Sequence, residues 1–210
     1  MEGTRPPEAA SGAGEVYSIG HSNQPLEQGN PTEEGVRQKE VYSIGHSNQP
    51  LEHFLGLLAR YQIEVIADVR SVPWSRYVPW AARAVLEKEL ARRGIRYVYL
   101  GVELGGRPRG PEYEGITARE ELYRKIESSD AFRAGIERLI RGARQYRVAM
   151  LCSEENPAIC HRDRLIRPVL VRLGLSVHHI RADGTLGSHL PNEQGQPSRP
   201  ELPGLNLFCR

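Results

Sequence analysis

From residue 40 onward, short apolar runs rich in β-branched residues alternate with amphipathic stretches, and this alternation constrains the fold more than any other feature of the chain. Val41–Gly45 reads as a strand, Pro50–Tyr61 as a helix and Ile63–Val69 (IEVIADV) as a second strand. Ala81–Arg93 reads as a helix stopped by Gly94, and Ile95–Leu100 (IRYVYL) as a third strand. A Gly-rich loop spans Gly101 to Gly115, followed by helical patterns over Thr117–Glu127 and Asp130–Gln145. Arg147–Cys152 (RVAMLC) is a fourth strand, Cys160–Leu173 a helix and Ser176–Ile180 a fifth strand. Strands separated by helices imply a mostly parallel sheet wrapped on both faces, an α/β domain of about five strands over residues 40–182.

The segments on either side differ in character. Residues 183–210 are rich in Gly, Pro and polar residues and read as a flexible tail, and residues 1–39 as a flexible extension. That extension holds a repeat: EVYSIGHSNQPLE stands at 15–27 and again, identically, at 40–52. The second copy runs into an apolar helical stretch, whereas the first runs into QGNPTEEGVRQK, which reads as linker. The second copy is therefore expected to hold the core strand. The start, MEGTRPPEAASGAGE, lacks the basic and apolar regions of a signal peptide, and no apolar run approaches a membrane span. Three sparse cysteines, Cys152, Cys160 and Cys209, make no disulfide framework and fit reduced thiols in the cytoplasm. A net charge of +2 does not demand nucleic acid as a partner, although 25 of the 28 basic residues are Arg, the better residue for planar anions.

In open parallel sheets ligands bind beyond the carboxyl ends of the strands. The first strand is followed by Gly45-His46-Ser47-Asn48 and the second by Asp68-Val69-Arg70-Ser71. The third leads into Gly105-Gly106-Arg107-Pro108-Arg109, and the fourth into Cys152-Ser153-Glu154-Glu155, with Cys160-His161-Arg162 opening the next helix. Each has a bland reading beside a functional one. His46 is a base or phosphate-orienting group, or part of a cap in which Ser47 or Asn48 starts the helix. Asp68 and Arg70 point the same way and form an ion pair or act separately. Arg107 and Arg109 hold an anion or are solvated. Cys152 and Cys160 are reactive thiols, Cys160 being favoured as thiolate by a helix start and by His161 and Arg162, or they are buried packing residues. Cys152, Cys160, His161 and His46 would suit zinc chemically. The seven residues between the cysteines do not match a compact zinc knuckle, so no metal ligands are assigned.

The segments YSIGHSN, DVRSVPWSR, YLGVELGGRPR and LCSEENPAICHR, in this order, resemble the family called domain of unknown function 488, over about residues 41–182. The resemblance implies a Rossmann-like or flavodoxin-like fold with these motifs lining one cleft, and it implies no activity. The strand order 3-2-1-4-5 is expected, with the long two-helix crossover between the third and fourth strands.

Three functions are compatible with these residues. The first is an enzyme acting on a small anionic or nucleotide-like substrate: Cys152 as thiol, His46 and Glu154 as proton-transfer groups, Asp68 as an orienting carboxylate. Arg70, Ser47, Arg107, Arg109, Cys160, His161 and Arg162 would hold the anion. The second is a nucleic-acid-associated module, with basic segments 83–109 and 141–172 on phosphates and Trp74, Trp80 or Tyr113 stacking on bases. The third is a non-catalytic interaction protein. Cofactor and oligomeric state are not read from the sequence.

Overall fold

The computed structural model describes residues 40–189. The first copy of the repeat and Cys209 lie outside them. Among the described residues no helix is long and apolar enough to cross a membrane.

The alternation is realised as an α/β fold. Its strands are β1 (Glu40–Gly45), β2 (Val65–Asp68), β3 (Arg96–Tyr99), β4 (Val148–Cys152), β5 (Ser176–Ile180) and β6 (Leu186–His189). The helices are α1 (Leu51–Arg60), α2 (Arg83–Ala91), α3 (Gly101–Leu104), α4 (Arg119–Glu127), α5 (Asp130–Ala143) and α6 (Arg167–Arg172). The first five strands pair with one another in parallel. β6 pairs antiparallel with β5, so the sheet extends into residues that read as tail from their Gly and polar content.

The order is β3-β2-β4-β1-β5-β6, which overturns the expected 3-2-1-4-5. β4 lies between β1 and β2. All five of its residues are buried, and a strand apolar on both faces belongs where both faces are covered. The two-helix crossover from β3 thus passes over β2 to reach it.

Strand alternation divides the core in two. On one face Val41, Val65, Ala67, Met150 and Val177 pack against α5 and α6 through Phe132, Ile136, Leu139, Val169 and Leu170. On the other, Tyr42, Ile44, Ile66 and Leu151 pack against α1 and α2 through Phe54, Leu58, Leu86 and Leu90. α1 buries Phe54, Leu55, Leu57 and Leu58, positions spaced three and four apart on one stripe. Pro50 is its N-cap, without a side-chain cap, so neither Ser47 nor Asn48 caps it. α5 is capped by Ser129, whose Oγ accepts from the Phe132 amide.

Candidate functional site

With β4 central, the carboxyl ends of β2, β4 and β1 stand side by side, and Asp68, Cys152 and Gly45 end neighbouring strands. The chain continues this contact beyond the strands. The amides of His46 and Ser47 donate to the carbonyls of Cys152 and Ser153, at 3.0 and 2.9 Å. A Cβ at Gly45 would sit 1.9 Å from the Glu154 carbonyl oxygen, so only glycine admits the loop after β4 this close.

That loop turns back through a short 3-10 turn, Pro157–Ile159, and delivers Cys160 and His161 beside Cys152. His161 Nδ1 lies 3.7 Å from Cys152 Sγ and 3.6 Å from Cys160 Sγ. Its Nε2–H donates to the Val69 carbonyl at 2.9 Å, which turns the Nδ1 side toward both sulfurs. The hydrogen bond from Cys152, then His161 and Arg162, holds the Cys160 thiol well below its ordinary range. The same bond, with burial, pushes the Cys152 thiol up, so the negative charge rests on Cys160. Arg162 supplies that sulfur with its amide at 3.5 Å and Nε at 3.3 Å. A Cβ at Gly106 would meet the His161 Cβ at 2.8 Å, so the Gly-rich loop after β3 closes directly on the imidazole.

His46 is buried against Trp80, edge to face with ring centroids 5.9 Å apart. Its Nδ1–H donates to the Ser47 carbonyl at 2.9 Å, which leaves the lone pair on Nε2. Desolvation pushes its pKa down to about 4, so the ring is an uncharged acceptor at neutral pH. Asp68 accepts from the Arg70 amide, from its Nε and Nη2, and from the Tyr97 hydroxyl at 2.6 Å. His46 Nε2, Arg70 Nη1 and Gln49 Oε1 are buried and have no hydrogen-bond partner among the described residues.

Arg162 is 1% exposed and is fixed from a second side. Its Nη1 donates to Ser43 Oγ at 3.0 Å, and its Nη2 to the Glu154 carbonyl. Ser43 Oγ stands 2.8 Å from His179 Nδ1, and His179 Nε2 lies 3.2 Å from Asp163. A buried polar line therefore runs from β1 and β5 to the π-helical turn Arg162–Ile166, a kind of turn often found at functional sites.

The structure thus gathers His46, Asp68, Arg70, Cys152, Cys160, His161 and Arg162 at one place. Other candidates stand apart. The Glu154 side chain is exposed, and that residue enters only through its carbonyl. Glu155 is an ion-pair partner of Arg181, which lowers its pKa. Ser47 contributes its carbonyl, and Arg107 and Arg109 are exposed on the loop over His161. Trp74 is 63% exposed, whereas Trp80 and Tyr113 pack against the core. Of the basic segments, Arg92, Arg93, Arg167 and Arg172 are already paired with carboxylates. Sequence reasoning missed Ser43, Gln49, Tyr97 and Asp163. For Tyr97 a signal existed: a strand tyrosine beside a buried Asp needs a hydroxyl partner.

A family model described as domain of unknown function DUF488 matches residues 50–169. No curated protein and no solved structure matches the chain.

Proposed function

The chain belongs to the DUF488 family, and from that premise we propose an enzyme acting on a small anionic or nucleotide-like substrate at the carboxyl ends of β1, β2 and β4. Its reactive centre is the thiol–imidazole cluster of Cys152, Cys160 and His161.

The observation that carries this reading is that two of the buried atoms without partners among the described residues are His46 Nε2 and Arg70 Nη1. A buried polar group left unpaired costs about 1–3 kcal/mol, and native proteins keep few of them outside working sites. One of these atoms is a donor on a guanidinium, the other an acceptor on a neutral ring. Together they ask for an anionic oxygen to meet Arg70 and an O–H or N–H to meet His46. A phosphoryl or carboxylate group next to a hydroxyl offers both. His46 would draw the proton, Asp68 would keep Arg70 aimed, and the Cys160 thiolate would supply the electron-rich atom. Arg107 and Arg109 add positive charge on the covering loop. The burial of His46, Arg70 and both thiols favours a small ligand over a polynucleotide.

A thermal-shift series on the full chain tests this with inorganic phosphate, nucleoside monophosphates, sugar phosphates and short hydroxy acids. One class should raise the melting temperature of the wild type and not of Arg70→Lys, which keeps a charge for Asp68 but lacks the Nη1 donor. The anion that binds should then be turned over by the wild type and not by Cys160→Ser. Absence of any shift at millimolar anion, with the variants folded, would sink the proposal.

A further inference from the structure

We propose that Cys152, Cys160 and His161 form a zinc site with three protein ligands and a fourth position for water or an anion. The three ligand atoms lie within 4.8 Å of one another, and all three residues are buried. Zinc bonds of about 2.3 Å to sulfur and about 2.05 Å to nitrogen, at tetrahedral angles, place S and N roughly 3.6 Å apart. The two S···N separations here are 3.7 and 3.6 Å. Both sulfur–nitrogen edges therefore match those of the tetrahedron zinc requires.

The surroundings match a metal centre as well as the ligands do. A metal-bound imidazole normally gives its other N–H to a carbonyl or carboxylate, and His161 gives Nε2–H to the Val69 carbonyl at 2.9 Å. The ring cannot swing away, because Gly106 lies directly on it. Cys160 Sγ receives two N–H donors from Arg162, a common support for a metal-bound thiolate. The seven-residue gap between the cysteines does not obstruct this, since the turn at Pro157–Ile159 brings the chain back to the end of β4.

Donor type selects the metal. Two sulfurs and an imidazole suit zinc, whereas magnesium and calcium require oxygen ligands. Among the described residues no fourth His, Cys, Asp or Glu joins the cluster. Three protein ligands are the pattern of catalytic rather than structural zinc. Charge points the same way. Two thiolates, Zn²⁺ and the buried Arg162 sum to +1, which a hydroxide or an anionic substrate group in the fourth position neutralises. Binding expels the remaining thiol proton, that of Cys152, to solvent, because only thiolates ligate. The metal site itself stands without the enzymatic reading; only the anion in the fourth position rests on it.

The test uses the full chain, stripped with a chelator and titrated with zinc and with cobalt(II). One metal per chain is expected, with thiolate-to-cobalt charge-transfer absorption and the visible bands of four-coordinate cobalt. Cys152→Ser, Cys160→Ser and His161→Asn should each weaken zinc binding at least tenfold, while Glu154→Gln leaves it unchanged. Because a cysteine variant can fail to fold, a second measurement uses the wild type: zinc should protect Cys152 and Cys160 from alkylation, read peptide by peptide. Equal labelling with and without zinc overturns the proposal, as do cobalt spectra lacking thiolate bands. Preference for copper(I) over zinc overturns the metal assignment. Zinc binding without any anion-induced shift would leave the metal site standing and remove the enzyme. Full turnover by a chain that binds no zinc in the titration would remove the metal site and leave the enzyme standing.

Discussion

Arg70 grips the carboxylate of Asp68 through Nε and Nη2, at 2.9 and 2.6 Å, with both side chains almost wholly buried. Asp68 is thereby saturated, because the Arg70 amide and the Tyr97 hydroxyl also donate to it. Under the proposed function its part is to aim Arg70. Removing one partner strands a buried charge, which typically costs about 3–5 kcal/mol. Asp68→Ala should therefore lose stability of that order in urea denaturation. Asp68→Leu combined with Arg70→Met should lose less, since no lone charge remains. A double variant as damaged as the single one would show that the pair's geometry, not its charge balance, supports the fold.

The strand ends were legible because chemistry-bearing residues there interrupt apolar runs: His46, Asp68 and Cys152 all stand at such breaks, whereas the Gly105-Gly106 pair is set off from β3 by α3. Order was not legible. Each strand declares its apolar faces locally, but which strand lies beside which depends on packing between segments far apart in the chain. Because β4 inserts between β1 and β2, the Cys152 end stands between those of His46 and Asp68, which no local pattern shows. The contact that Glu154 makes was not legible for a related reason: a residue type suggests side-chain chemistry, and here the backbone carbonyl meets Arg162. Ser43 passed unnoticed because a serine in an apolar strand gives no sign of the partners that reach it from β5 and the turn at Arg162.

Burial of His46 carries a pH dependence. Its folded pKa, about 4, lies below the ordinary 6.5, so between these values the unfolded chain binds the proton and the folded one does not. Stability from this group is full above about pH 6.5 and is lost as pH falls toward 4. The shift corresponds to roughly 3 kcal/mol across that window. Urea midpoints measured at pH 7.5, 5.5 and 4.5 should fall more steeply for the wild type than for His46→Gln. The His46 ring proton should titrate near pH 4 by NMR. A midpoint near 6.5 would mean the ring is hydrated rather than buried.

Ser43 joins two buried groups at once, accepting from Arg162 and lying within hydrogen-bond distance of His179. Ser43→Ala takes one partner from each, and the expected loss is about 1–3 kcal/mol. Arg162 would also lose one of its fixed contacts, so the Cys160 thiolate beside it should become more mobile. The readout is paired: a lower urea midpoint, and faster alkylation of Cys160 in the folded chain. An unchanged alkylation rate would mean that the Glu154 carbonyl alone suffices to hold the guanidinium.

Two glycines separate close approach from mere flexibility. At Gly45 a Cβ would lie 1.9 Å from the Glu154 carbonyl oxygen and 2.9 Å from the Glu155 Cα, both backbone atoms. The chain cannot relieve this by a rotamer change, so Gly45→Ala must push the loop after β4 away from β1. The amide bonds from His46 and Ser47 to Cys152 and Ser153 would break with it. Gly56 lies on the exposed face of α1, with nothing within 4 Å of its added Cβ. Gly56→Ala should stabilise the protein by about 0.5–1 kcal/mol through helix propensity alone. Thermal melts of the two variants should thus move in opposite directions. If Gly45→Ala also melted like the wild type, the loop would not press on β1, and the contact that brings Cys152 beside His46 would have to be abandoned.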